Sequence, residues 1–113
     1  MDSREQQIKA GRLQPSMSFN EKVWALTARV PAGKVTTYGE IARKLGSNGY
    51  RAVGSALNRN PYAPQVPCHR VVGCTGTLTG FAGGIDKKKQ LLMSEGVPMR
   101  NGRVDLNHAR AKL

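Results

Sequence analysis

The segment Val66–Pro67–Cys68–His69–Arg70–Val71–Val72 sets a thiol directly before an imidazole, with a proline in front and two valines behind. A cysteine reacts as its thiolate, and near neutral pH that form needs a base or a positive field. His69 is the adjacent base, but neighbours in a regular strand point to opposite faces. Cys68 and His69 can therefore work together only on an irregular backbone, which Pro67 can help set, or through a bridging water. The bland alternative for Cys68 is a small buried apolar residue. Cys74 is the only other cysteine. A disulfide closing so short a loop is disfavoured in the reducing setting the rest of the chain suggests. Cys68, His69, Cys74 and His108 match none of the usual zinc spacings, so a metal is not expected.

Eighteen Lys and Arg against seven Asp and Glu give a formal charge of +11. A surface so strongly of one sign suits a polyanion, and nucleic acid is the commonest one for a soluble domain. The basic residues are spread along the chain, with one cluster at Lys87–Lys88–Lys89, and no long basic arm is present. The 113 residues suffice for one compact domain. No apolar run approaches the roughly 18 residues of a membrane span. The first residues have no apolar segment of the secretory kind. A cytoplasmic location is the expectation, nucleoid-associated or nuclear according to the cell type.

Three helices must position the thiol. Residues 1–17 are polar and without periodicity, and read as a flexible leader. Ser18 and Glu21 form a capping box, after which Phe19, Val23, Leu26 and Val30 make one apolar face. Thr37 and Glu40 predict a second box, opening a short helix through Ile41 and Leu45. A third helix runs from about Tyr50 to Arg59 with Val53, Ala56 and Leu57 on one face, ended by Asn60–Pro61. Two short helices joined by a glycine-containing turn, with a longer one before them, are a helix-turn-helix candidate. Beyond it, Val71–Val72 reads as a short strand and Gly73 to Gly84 as turns. Asp86 can cap a last helix with Leu91, Leu92 and Met93 inside, and Asn101–Gly102 suits a tight hairpin turn.

Six blocks occur in order: Gly33 to Tyr38 (GKVTTY), Arg51 to Gly54 (RAVG), Asn60–Pro61, Pro67 to Val72 (PCHRVV), Gly80 to Gly84 (GFAGG) and Leu91 to Gly96 (LLxxEG). From Phe19 to Leu106 the chain resembles the C-terminal domain of the O6-alkylguanine-DNA alkyltransferases, the methylated-DNA–protein-cysteine methyltransferases. The resemblance implies a mainly α, winged helix-turn-helix domain over 18–106, with a basic tail at 107–113. It implies DNA repair by transfer of an alkyl group from O6 of guanine to Cys68, with no cofactor. His69 would draw the Cys68 proton through water, and Glu95 would orient the imidazole. Displacement at a methyl carbon gives a thioether, which has no carbonyl for water to attack, so each molecule would act once. The expected partner is double-stranded DNA containing O6-alkylguanine, and the expected state is a monomer.

An alkyl group on O6 lies inside the duplex, so the base must be flipped out. Arg51 resembles the family's arginine that fills the vacated stack; its alternative role is a phosphate contact. Ala52 and Gly54 are small, letting the helix approach a narrow minor groove. Tyr38 resembles the tyrosine whose hydroxyl contacts the flipped base and helps neutralise the leaving guanine; otherwise it is a core residue. Asn60 resembles a hinge between the recognition helix and the active-site strand. The Cys68 and Val71 carbonyls and the Ala82 amide match backbone contacts to guanine. Phe81 stands where relatives often carry tyrosine, and Lys88 matches a lysine that could equally be a solvated charge. Cys74 matches no family position and keeps the bland reading.

Two rivals differ at particular residues. The shorter alkyltransferase-like proteins bind alkylated DNA without repairing it, and they usually carry another residue, often tryptophan, at the position of Cys68. The chain is nearer to them in length, yet it retains the thiol. A sequence-specific regulator would need base-reading side chains where Ala52 and Gly54 stand.

Overall fold

A computed structural model describes residues 3–47, 49–79, 81 and 84–113. Helix α2 (Phe19–Ala28) starts as the sequence requires: Ser18 Oγ accepts from the Glu21 amide, and Glu21 accepts from the Ser18 amide. Strand β1 (Thr36–Thr37) runs straight into α3 (Tyr38–Lys44), and Thr37 Oγ1 accepts from the Glu40 amide at 3.0 Å. The Glu40 carboxylate does not close the box; it pairs with Arg43 one turn on. Helix α4 (Tyr50–Asn58) follows the turn and buries Val53, Ala56 and Leu57. Helices α2, α3 and α4 are the helix-turn-helix core, and the Trp24 indole N–H bonds the Ala56 carbonyl at 2.7 Å, fastening α2 to α4.

A 3-10 turn over Cys68–Arg70 leads into β2 (Val71–Val72), which pairs in parallel with β1, Thr36 opposite Val71 and Thr37 opposite Val72. Successive strand side chains point to opposite faces. Val71 accordingly joins Val23, Leu26, Ile41 and Val53 on one side, while Val72 joins Val35, Leu78, Leu92 and Val104 on the other. The strand that follows Cys68–Arg70 is thus clamped between two apolar clusters. Helix α5 (Ile85–Ser94) covers the second cluster. Its buried stripe is Lys88 and Leu92, four residues apart, while Met93 is exposed. The expectation that Leu91, Leu92 and Met93 all face inward fails because consecutive residues cannot share a helix face. Asp86 lies in the first turn of α5, and Gly84 takes the cap position.

Strands β3 (Met99–Arg100) and β4 (Arg103–Val104) form the wing, with Asn101 and Gly102 both at positive φ, as a two-residue hairpin demands. The Gly73–Thr77 turn docks on it. A Cβ on Gly76 would lie 2.2 Å from the Val104 carbonyl oxygen, so only glycine fits there. Among the described residues no helix is long and apolar enough to cross a membrane.

Both ends depart from the sequence reading. Residues 3–17 are not a loose leader: Ser3 and Gln6 make a reciprocal capping box that opens α1 (Arg4–Lys9). Its Ile8 is fully buried with Met17, Ala25 and Val66, and Arg29 Nε bonds the Gly11 carbonyl at 2.8 Å. One buried residue per two turns gives no periodicity to detect. Residues 107–113, expected as a basic tail, are tied to the fold. Helix α6 (Leu106–Ala109) ends at a parallel bridge in which Val35 N–H bonds the Ala109 carbonyl and Ala111 N–H bonds the Val35 carbonyl, each at 2.8 Å.

Candidate active site

The Cys68–His69–Arg70 segment is a 3-10 turn, not a strand. Cys68 N–H bonds the Val66 carbonyl and Arg70 N–H the Pro67 carbonyl, each at 2.9 Å. Successive side chains on such a turn diverge by about a third of a revolution. Cys68 and His69 therefore point apart, and the irregular backbone does not bring the imidazole onto the sulfur. His69 is buried and its Nε2 lies 3.1 Å from Glu95 Oε2. An ionised carboxylate only accepts, so Nε2 carries the proton and Nδ1 of a neutral ring is the basic nitrogen.

Glu95 caps the C-terminus of α5, which packs on the 3-10 turn. Its carboxylate also receives both arms of Arg70, Nε to Oε1 at 2.9 Å and Nη2 to Oε2 at 2.6 Å, and Arg70 Nη1 is anchored on the Val30 carbonyl at 2.8 Å. These Arg70 bonds, followed by that to His69, hold the Glu95 carboxyl below its usual range against the opposing effect of burial. Sequence reasoning assigned no role to Arg70. The available signal was that no glutamate other than Glu95 follows Glu40, so the neighbouring His69 and Arg70 have one long carboxylate to share.

A second network lies within electrostatic reach of the thiol. Tyr38 donates to the Thr79 carbonyl at 3.0 Å; Lys88 Nζ donates to the same oxygen at 2.8 Å and to the Tyr38 hydroxyl at 3.3 Å. Lys88 is fully buried, so it is not a solvated charge. Burial brings its ammonium down to about 8, partly offset by the neighbouring Cys68, and burial pushes the Tyr38 phenol up despite the Thr79 bond. Cys68 therefore shares its surroundings with a buried ammonium and a phenol.

Asn60 spans from the end of α4 to the thiol loop: its Nδ2 donates to the Val66 carbonyl at 2.8 Å and its Oδ1 accepts from the Tyr62 amide at 2.9 Å. Val71 is buried and its amide bonds the Cys68 carbonyl, so that oxygen has one lone pair left for a ligand. Phe81 is half-buried, and Ala82 lies outside the described residues. Arg51 and Ala52 are exposed at the head of α4, outside both networks. Gly54 is half-buried and faces Tyr38, where a Cβ would come no nearer than 4.0 Å to the ring. A cleft of about 480 Å³ opens beside Tyr38, lined also by Gly39, Tyr50, Gly73, Cys74 and Thr79. Cys74 is thus an exposed thiol on the cleft wall and not a buried packing residue, because the turn that carries it faces outward.

The site and fold together define a winged helix-turn-helix domain of the alkyltransferase type, with a partly buried cysteine behind its second helix. Residues 18–97 match the family model for the DNA-binding domain of 6-O-methylguanine DNA methyltransferase, and the chain belongs to that family. It is 51% identical over 78 residues to a methylated-DNA–protein-cysteine methyltransferase of Methanosarcina mazei, covering 68% of this chain and 49% of that protein. To the Salmonella typhimurium protein of the same name it is 49% identical over 79 residues, covering 69% and 46%. The chain spans about half the length of the curated relatives it matches. Among solved structures it is similar to S. pombe Atl1 in complex with damaged DNA containing O6-carboxymethylguanine, at TM-score 0.73 and 33% identity over 84% of this chain and 95% of that one. It is also similar to Mycobacterium tuberculosis OGT in complex with DNA, at TM-score 0.67 and 37% identity over 96% and 66%.

Proposed function

We propose that this protein repairs DNA by moving the alkyl group of O6-alkylguanine irreversibly onto Cys68. The observation that carries the reading is a cysteine next in the chain to a His69–Glu95–Arg70 network and within electrostatic reach of a buried Lys88–Tyr38 pair, in a chain of this family. The +11 charge supports duplex DNA as the partner. Arg51 enters the stack as the lesion leaves it, and Asn60 holds the recognition helix against the thiol loop. A water takes the Cys68 proton and passes one to His69 Nδ1, while Glu95 steadies the imidazolium. The thiolate attacks the alkyl carbon, the carbon–O6 bond breaks, and a new carbon–sulfur bond forms. The electron pair left on guanine is neutralised by a proton from Tyr38, whose hydroxyl is backed by Lys88. The Val71 carbonyl and Ala82 amide supply base contacts, and Phe81 an apolar wall.

Titrating the protein with excess methylated duplex tests this. Product should plateau at one repaired guanine per molecule, and continued turnover would contradict the thioether step. A second reading, lesion binding without transfer, is favoured by the match that covers 95% of Atl1. It predicts tight binding to the lesion with no repaired guanine.

A further inference from the structure

The cleft beside Tyr38 has a wall that the proposed chemistry does not use. Tyr50, the first residue of α4, is 57% exposed, the largest aromatic surface the chain presents. A single exposed aromatic is ordinary in itself. Its placement is not. On α4, Tyr50 and Gly54 are four residues apart and lie on one face, one turn above the other. Gly54 faces the Tyr38 ring, so Tyr50 overhangs the same space from the next turn, and both tyrosines line the cleft of about 480 Å³. Gly39 lines the same cleft, and a Cβ there would touch nothing within 4 Å, so the chain leaves this space open. The volume is in the range of small-ligand sites. Tyr50 also borders a second opening of about 400 Å³ with Gly39, Arg43 and Ser47. Arg51, the next residue, points to solvent at the same helix end.

We infer that Tyr50 is a specificity-determining residue for the extrahelical nucleotide, its ring packing on the flipped unit across the cleft from Tyr38. This rests on the reading that the protein extrudes an alkylated guanine. An aromatic face is indifferent to base identity and gains only when a base or sugar is out of the stack. Tyr50 should therefore favour damaged over intact DNA while leaving general affinity alone.

The test measures binding in a Cys68→Ala background, where no transfer occurs, to a duplex with one O6-methylguanine and to the matching undamaged duplex. Adding Tyr50→Ala should weaken lesion binding roughly tenfold, the fold-change expected for one lost aromatic stack, and shift undamaged binding less than about twofold. Tyr50→Phe should stay within about twofold on both. Equal loss on both duplexes would make Tyr50 a backbone contact and overturn the inference. So would loss in Tyr50→Phe matching that in Tyr50→Ala, or no loss at all. A Cys68→Ala parent that does not distinguish the two duplexes contradicts the underlying reading; a parent that distinguishes them, with Tyr50→Ala unchanged, contradicts the inference alone.

Discussion

At the residue scale the two networks near Cys68 make separable demands. Glu95 is shared between His69 and Arg70, and the bidentate Arg70 bond with its Val30 anchor fixes where the carboxylate can stand. Arg70→Met should lower stability by about 2 kcal/mol, the scale of a lost hydrogen bond to a charged group, and slow transfer. Arg70→Lys should recover little of the rate, because an ammonium cannot replace the two-pronged contact. Equal rates in wild type and both variants would remove Arg70 from the site. Lys88 makes a pH prediction. Its proton is held less tightly in the folded state, about 8 against an ordinary 10.5. Between those values the unfolded chain binds more protons, so stability rises with pH there, and the full penalty applies below about 8. Relative to Lys88→Met, the wild type should gain on the order of 2 kcal/mol between pH 7 and 9.5. A pH-independent difference in urea unfolding would show that Lys88 is not buried as a cation. The thiol motif was legible in the sequence; the burial of Lys88 was not, since a lysine among three looks solvated until the helix face is known.

Elements were legible where they carry periodic signals. Ser18 with Glu21 marked the start of α2, Val53, Ala56 and Leu57 marked the inner face of α4, and Asn101–Gly102 marked the wing turn. Strand β1 was missed because two threonines carry no period; its parallel partner β2 lies 35 residues on in the register Thr36 to Val71. Helix α1 was missed although Ser3 and Gln6 have capping-box spacing, because six residues bury only Ile8. Its packing has a consequence for the site. Ile8 shares a cluster with Val66, whose carbonyl accepts from both Asn60 and Cys68. Ile8→Ala should cost about 2–4 kcal/mol, the range for a fully buried isoleucine. A shift in thermal midpoint equivalent to less than about 0.5 kcal/mol would show that α1 does not pack as described.

At the scale of the whole molecule, charge and architecture point the same way. A surface of +11 binds a polyanion through counterion release, so affinity for undamaged duplex should fall with salt at a log–log slope of about −0.9 per neutralised phosphate. A flat salt dependence would contradict that account. Transfer has its own readout. Arg51→Ala should slow transfer from duplex far more than from the free alkylated base, since only the duplex requires extrusion. The most direct test of the central claim is the intact-protein mass after mixing with a short duplex containing O6-methylguanine, followed by peptide mapping. The account predicts a gain of one methylene unit, once per molecule, placed on Cys68, and no gain in Cys68→Ala. An unmodified protein that binds the lesion, or a methyl group mapped to Cys74, would contradict it.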